Sequence, residues 1–225
     1  MKLVKCGKIV VASLCMMATL AGAAMPALAI SPAGYTSLAQ IEEINDDEEA
    51  QVQALKAAIA KVNVKYDEVQ RSWQFDSPIY DKAEKNKSCC LAPWIFIFDG
   101  CKDVYFDEDF SYNGSSCIDL NTVYVRAGDN LYTYECDPDY TDYAYDTDKK
   151  VWWALSNFEM EPSEIDWLRE MLSAKTIITR YSGASGAQYD YTWTADDRQA
   201  VTDMVNLYDL LVAASPEVRA RALRG

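Results

Sequence analysis

The chain has 225 residues, half of them hydrophobic, which is enough for one sizeable core. It contains no histidine, which excludes Ser-His-Asp and Cys-His catalysis and every histidine-containing zinc site. Its formal net charge is −14; so acidic a surface repels phosphate backbones and anionic lipid heads, so neither nucleic acid nor a membrane surface is expected as a partner, while cationic partners are permitted.

The first 29 residues read as a secretory signal peptide. Lys2, Lys5 and Lys8 form a basic start, Ile9 to about Ala21 an apolar stretch, and Ala27-Leu28-Ala29 a small-x-small cleavage site. A mature chain would begin near Ile30, keep 18 basic against 35 acidic side chains and carry a charge near −17. Localisation is expected to be secreted or periplasmic, with no membrane span once the leader is removed. Five cysteines remain, Cys89, Cys90, Cys101, Cys117 and Cys136. In an exported protein they favour disulfides over metal ligation. Two bridges and one leftover thiol are expected, with Cys101–Cys117 as the favoured pair. Adjacent Cys89 and Cys90 cannot easily reach disulfide geometry with each other.

Residues 30–62 form an N-terminal helical segment. Ser37 with Gln40, and Asn45 with Glu48, resemble capping boxes, and Val52, Leu55, Ile59 and Val62 follow one helical face. Val64 and Tyr66, then Trp73 and Phe75, alternate as two strands. Asp81 to Ser88 lacks an apolar period and reads as a loop. Trp94 to Phe98 is a continuous apolar run, a strand buried on both faces or nearly so, and Asp99-Gly100 suits a tight hairpin turn into Val104–Phe106. Asp107 to Ser116 reads as a polar loop. Ile118 to Val125 turns at Gly128-Asp129-Asn130 into Leu131–Cys136. Asp137 to Asp148 is acidic and rich in tyrosine, with no regular period.

The block Val151 to Leu211 organises the rest: a strand (Val151–Phe158), a helix opened by Pro162, a strand (Thr176–Tyr181), a loop at Gly183 and Gly186, and a closing helix capped by Thr194. Val201, Met204, Val205, Tyr208 and Leu211 form the buried stripe of that helix, which should face the sheet holding Trp152 or Trp153. Residues 214–225 are expected to be a flexible tail. The whole is an α+β fold over residues 63–213. A mostly antiparallel sheet or sandwich carries an N-terminal helix, one inserted helix and a closing C-terminal helix.

Trp94-Ile95-Phe96-Ile97, Val151-Trp152-Trp153, Pro162-Ser163-Glu164-Ile165, Thr176 to Gly183 and Asp190 together resemble a family of uncharacterised bacterial secreted proteins and lipoproteins. Its members have a tryptophan-rich antiparallel sheet and a C-terminal helix. The resemblance would span about Val64 to Ala213. It implies a fold and no activity. The five cysteines and the Asp137–Asp148 insert depart from it.

The residues offer a short list of candidates for binding. Asp139 and Asp142, with Asp137, Asp146 and Asp148, could attract calcium, but the spacing is not that of a calcium loop, and a solvated acidic loop is the simpler reading. Tyr140, Tyr143 and Tyr145 offer rigid aromatic area for protein or carbohydrate contact, or fold back onto the sheet. Arg180, in an otherwise apolar strand, could receive a carboxylate ligand or pair with Asp190. No catalytic residue, metal site or cofactor is assigned. The reading is an exported non-catalytic binding domain for an unknown protein or carbohydrate. The alternatives are a small carboxylate-based hydrolase and a self-associating scaffold, joined through an unpaired cysteine or the N-terminal helix.

Overall fold

The computed structural model describes residues 48–99 and 102–224. The expected signal peptide, the first half of the expected N-terminal helical segment, the expected Gly100 turn and Cys101 lie outside the described residues. Ten strands form two antiparallel sheets, in the order β1-β2-β3-β4-β8-β7 and β10-β9-β5-β6. The six-stranded sheet comprises β1 (Asn63–Asp67), β2 (Ser72–Asp76), β3 (Cys90–Phe98), β4 (Tyr105–Gly114), β7 (Thr141–Asp146) and β8 (Val151–Glu159). The four-stranded sheet comprises β5 (Leu120–Ala127), β6 (Asn130–Glu135), β9 (Ile177–Gly183) and β10 (Gln188–Thr192). Five helices complete the fold: α1 (Glu48–Ile59), α2 (Ile79–Asn86), α3 (Pro162–Ser173), α4 (Ala195–Ala213) and α5 (Pro216–Leu223). The α+β expectation holds.

Aromatic side chains join the sheets. Phe110 of β4 meets Tyr134 of β6 with ring centres 4.8 Å apart, and Tyr112 meets Tyr181 at 5.8 Å. The fully buried Tyr181 hydroxyl donates across the gap toward the carbonyls of Ser111 (2.9 Å) and Cys90 (3.2 Å). A buried phenol without such a partner would cost about 1–3 kcal/mol, so these bonds help fix how the sheets meet. Helix α4 covers the rest of the core face. Its start is a reciprocal cap: the Asp197 N–H donates to the Thr194 hydroxyl (3.2 Å), and the Thr194 N–H to the Asp197 carboxylate (2.6 Å). Its stripe of Val201, Met204, Val205, Tyr208 and Leu211 is buried in the core cluster. The strand α4 packs on is β3 of the same sheet, rather than the Trp152–Trp153 strand β8.

Several segments differ from the sequence expectation. Ile79–Asn86 is a helix, because only Ile79 and Ala83 need burial and they sit four residues apart over Cys90 and Ala92. Asp107–Gly114 continues β4 instead of looping, and β3 joins β4 through residues 99–104, longer than a two-residue turn. Gln188–Thr192 is the edge strand β10, turned back from β9 around Gly186 at φ +86°. Residues 216–223 are the helix α5, not a tail. Its Arg219 is buried and donates to the carbonyls of Leu211 (2.6 Å) and Lys102 (2.8 Å), which ties the chain end to the body. Most consequentially, the acidic, tyrosine-rich stretch is a short 3₁₀ turn (Pro138–Tyr140) followed by β7. The expected bridges are also absent among the described residues: Cys89, Cys90, Cys117 and Cys136 are free thiols. Cys89 and Cys90 are buried at the start of β3, and burial pushes the Cys89 thiol up to about 12.

Candidate functional site: the open face of the six-stranded sheet

Strand alternation sends the side chains of β4 to opposite sides. Phe106, Glu108, Phe110 and Tyr112 go to the core, and Tyr105, Asp107, Asp109 and Ser111 to the other face. Cross-strand register then assembles rows on that second face. Asp76 lies opposite Trp94, Trp94 opposite Asp107, and Asp107 opposite Glu159. The next row on one side is Gln74, Phe96 and Tyr105; on the other it is Ala92, Asp109 and Asn157. Directly opposed side chains in such a ladder stand about 4.5–5.5 Å apart at Cβ. Trp94 and Phe96, two residues apart, hold their rings nearly parallel and stacked, 8° between planes and 6.4 Å between centres. A stacked aromatic pair therefore lies within a band of four carboxylates.

Among the described residues these carboxylates make no ion pair. Burial, with Glu159 and then Asp109 nearby, raises Asp107 to about 6. Burial also raises Asp109, opposed by the Asn157 amide, which donates to it at 2.9 Å. The Trp94 indole N–H lies close enough to favour ionised Asp109, yet it is buried and closes no hydrogen bond. Asp76 is raised chiefly by burial. No cation contributes to any of these three shifts. The arrangement can therefore accept hydrogen bonds and positive charge over an aromatic surface. No group of three or more His, Cys, Asp or Glu with metal-holding geometry occurs among the described residues.

The same face continues past Ser111 and Leu155 to Asp142 of β7. There α2 and β7 flank a hollow of about 350 Å³ lined by Tyr80, Glu84, Asn113, Asp142, Lys149 and Trp153, among others. Lys149 spans it, paired with Glu84 and, at 3.6 Å, with Asp146.

The sequence candidates divide. Asp142 reaches this face. Tyr143 and Tyr145 of β7 point to the opposite side, 52% and 46% exposed, with Tyr145 against Trp152 at 5.4 Å between ring centres. Tyr140 and Asp139 sit exposed in the 3₁₀ turn. Arg180 belongs to the other sheet, where it makes a two-pronged ion pair with Asp190 (2.6 and 2.7 Å). It is thus engaged internally and stands apart from the β7 residues. Trp94, Phe96, Asp76, Asp107, Asp109 and Glu159 were missed. The available signal was the period-two pattern Trp94-x-Phe96 and Asp107-x-Asp109, which Glu108 on the core side obscures.

Fold and face together define an α+β protein of two antiparallel sheets with an open acidic and aromatic sheet face. No family model matches the chain, and no curated protein matches it. A solved structure of a novel protein of unknown function from Burkholderia pseudomallei K96243 is similar at 12% identity and a TM-score of 0.23, over 77% of this chain and 97% of that one. Among the described residues no helix is long and apolar enough to cross a membrane.

Proposed function

We propose that this protein is an exported, non-catalytic binding domain whose ligand is an organic cation or a basic protein segment held on the open face of the six-stranded sheet. The observation that carries this is the row Asp76, Trp94, Asp107 and Glu159, extended by Phe96 and Asp109, whose carboxylates make no ion pair among the described residues. A cation over the Trp94 ring gains from the ring's negative face, typically about 0.5–2 kcal/mol. It also relieves the mutual repulsion of the carboxylates. A neutral ligand gains neither.

Calorimetric titration with spermine at low salt is the test. Saturable binding should weaken about tenfold or more in Trp94→Ala and in Asp107→Asn combined with Glu159→Gln. It should also weaken steeply between 50 and 500 mM salt, because exposed charges are screened. Circular dichroism would confirm that the variants fold. Binding of a neutral glucan such as cellohexaose in place of spermine would replace the cation with a carbohydrate.

A second reading is a carboxylate-based hydrolase. Asp107, raised to about 6, faces Glu159 across the strands beside Trp94, and paired carboxylates can serve as acid and base in hydrolysis. Trp94, Phe96 and Asp107 of this face remain partly exposed, which favours binding at the surface. Turnover of a chromogenic glycoside, lost in both Asp107→Asn and Glu159→Gln, would decide for the enzyme.

A further inference from the structure

Strand β7 has no packing reason to exist. None of its six residues is buried, whereas the neighbouring β6, also an edge strand, buries Tyr132 and Tyr134. Among the described residues β7 pairs only with β8, so its outer row of backbone N–H and C=O groups is left without a strand partner. Its side chains sort cleanly by face. Asp142, Ala144 and Asp146 lie on the open acidic side, and Tyr143 and Tyr145 with Trp152 on the other. Local bonds hold it extended: the Thr141 hydroxyl meets the Ser156 hydroxyl at 2.9 Å, and Asp146 accepts the N–H groups of Asp148 and Lys149 at 2.9 and 2.8 Å.

From this edge we infer that β7 adds a strand from another protein: an extended segment with basic residues at alternate positions and apolar ones between them. This rests on the binding reading above and extends the same face by one strand. Main-chain bonds would supply affinity, and the alternating side chains specificity. Basic residues would meet exposed Asp142, which makes no ion pair among the described residues, while apolar ones would cover the exposed Tyr143 and Tyr145. A second copy of this chain is a poor occupant, because the antiparallel β7–β7 register centred on Ala144 sets Asp142 against Asp146 twice, and like charges directly opposed destabilise a ladder. Residues 30–47 of the chain itself hold no Lys or Arg, so they cannot supply the complementary charge either.

The probe is an acetylated, amidated octapeptide of alternating lysine and valine. Titration is followed by calorimetry and by amide hydrogen exchange on the full protein. Saturable binding with protection confined to residues 141–146 is expected. The same peptide N-methylated at alternate residues should bind at least tenfold more weakly, since methylation removes strand-forming donors but leaves the charge. Asp142→Lys should weaken the lysine peptide about tenfold and make an alternating glutamate–valine peptide the tighter binder. Because β7 buries nothing, that variant should fold. Equal binding of the methylated peptide, protection at β1, β6 or β10 instead, or indifference to Asp142→Lys would overturn the inference. Spermine binding that depends on Trp94 while the octapeptide fails would remove strand addition and leave the open-face reading standing. Self-association in sedimentation, abolished by Asp142→Lys, would assign the edge to a second copy and equally overturn it.

Discussion

Asp107, Glu108 and Asp109 are three consecutive carboxyl groups of one strand, and the fold treats the middle one differently from its neighbours. Glu108 points into the core between Pro93 and Phe158, has no exposed surface, and neither of its oxygens finds a hydrogen bond. Burial, with Glu164 adding repulsion, pushes it up to about 8, so at neutral pH it is mostly the uncharged acid. Asp107 and Asp109 face the other side, among Trp94, Asn157 and Glu159, where Asp109 is buried beside the Asn157 amide and the partly exposed Asp107 rises only to about 6. A one-residue step across the pleat thus separates an acid in the core from two on the other face. Which face a side chain occupies, more than its identity, decides whether its charge weakens the fold or is available to a partner.

The largest effect should come from the core side. Phe106→Ala should cost about 3–5 kcal/mol in urea unfolding, a large part of the roughly 5–15 kcal/mol a domain has. Phe96→Ala, ten residues earlier on the open face, should cost about 1 kcal/mol. If the two cost the same, the division between faces is wrong.

Next comes Glu108. Its pKa is raised on folding, so the folded state holds a proton that the unfolded state releases above about pH 4.5. The resulting stabilisation is complete below pH 4.5 and is lost as pH rises toward about 8. The slope approaches 1.4 kcal/mol per pH unit within that window. Asp107 adds a shallower loss of the same sign between about pH 3.8 and 6. Denaturant midpoints measured from pH 4.5 to 8.5 should fall less steeply in Glu108→Gln. An unchanged profile would mean that Glu108 is ionised and solvated.

Smaller still, Asp142→Lys on β7 should change stability by no more than about 0.5 kcal/mol, because the side chain buries nothing. A loss of several kcal/mol would show the edge strand to be structural. Last, of the four described cysteines, only exposed Cys117 should react promptly with a thiol reagent in the folded protein. Cys89, Cys90 and Cys136, whose burial raises their thiols, should react only on unfolding.

Much of the fold was legible because burial imposed a period. The α4 stripe, the Thr194 cap and the Gly128 turn each followed from local pattern. What escaped notice broke the pattern for physical reasons. In β4 the acid on the core face made the strand look like a loop. In β7 neither face is buried, so no hydrophobic period exists to read. In α2 only two apolar residues are needed. The stacked Trp94–Phe96 pair escaped because the Trp94–Phe98 run looks doubly buried, while Trp94 and Phe96 in fact emerge partly exposed on the other side. The Arg180–Asp190 pair was anticipated because opposite charges in neighbouring strands satisfy each other more readily than a ligand does.

The most direct test of the two-faced strand is a carboxyl-detected NMR titration of Asp107 and Glu108 in the same sample, without and with saturating spermine. Without ligand, Asp107 should titrate near 6 and Glu108 near 8. Spermine should move the Asp107 midpoint down toward the ordinary carboxylate range and leave Glu108 where it was. An Asp107 midpoint that ignores spermine, or a Glu108 that titrates with the exposed acids, would contradict the account.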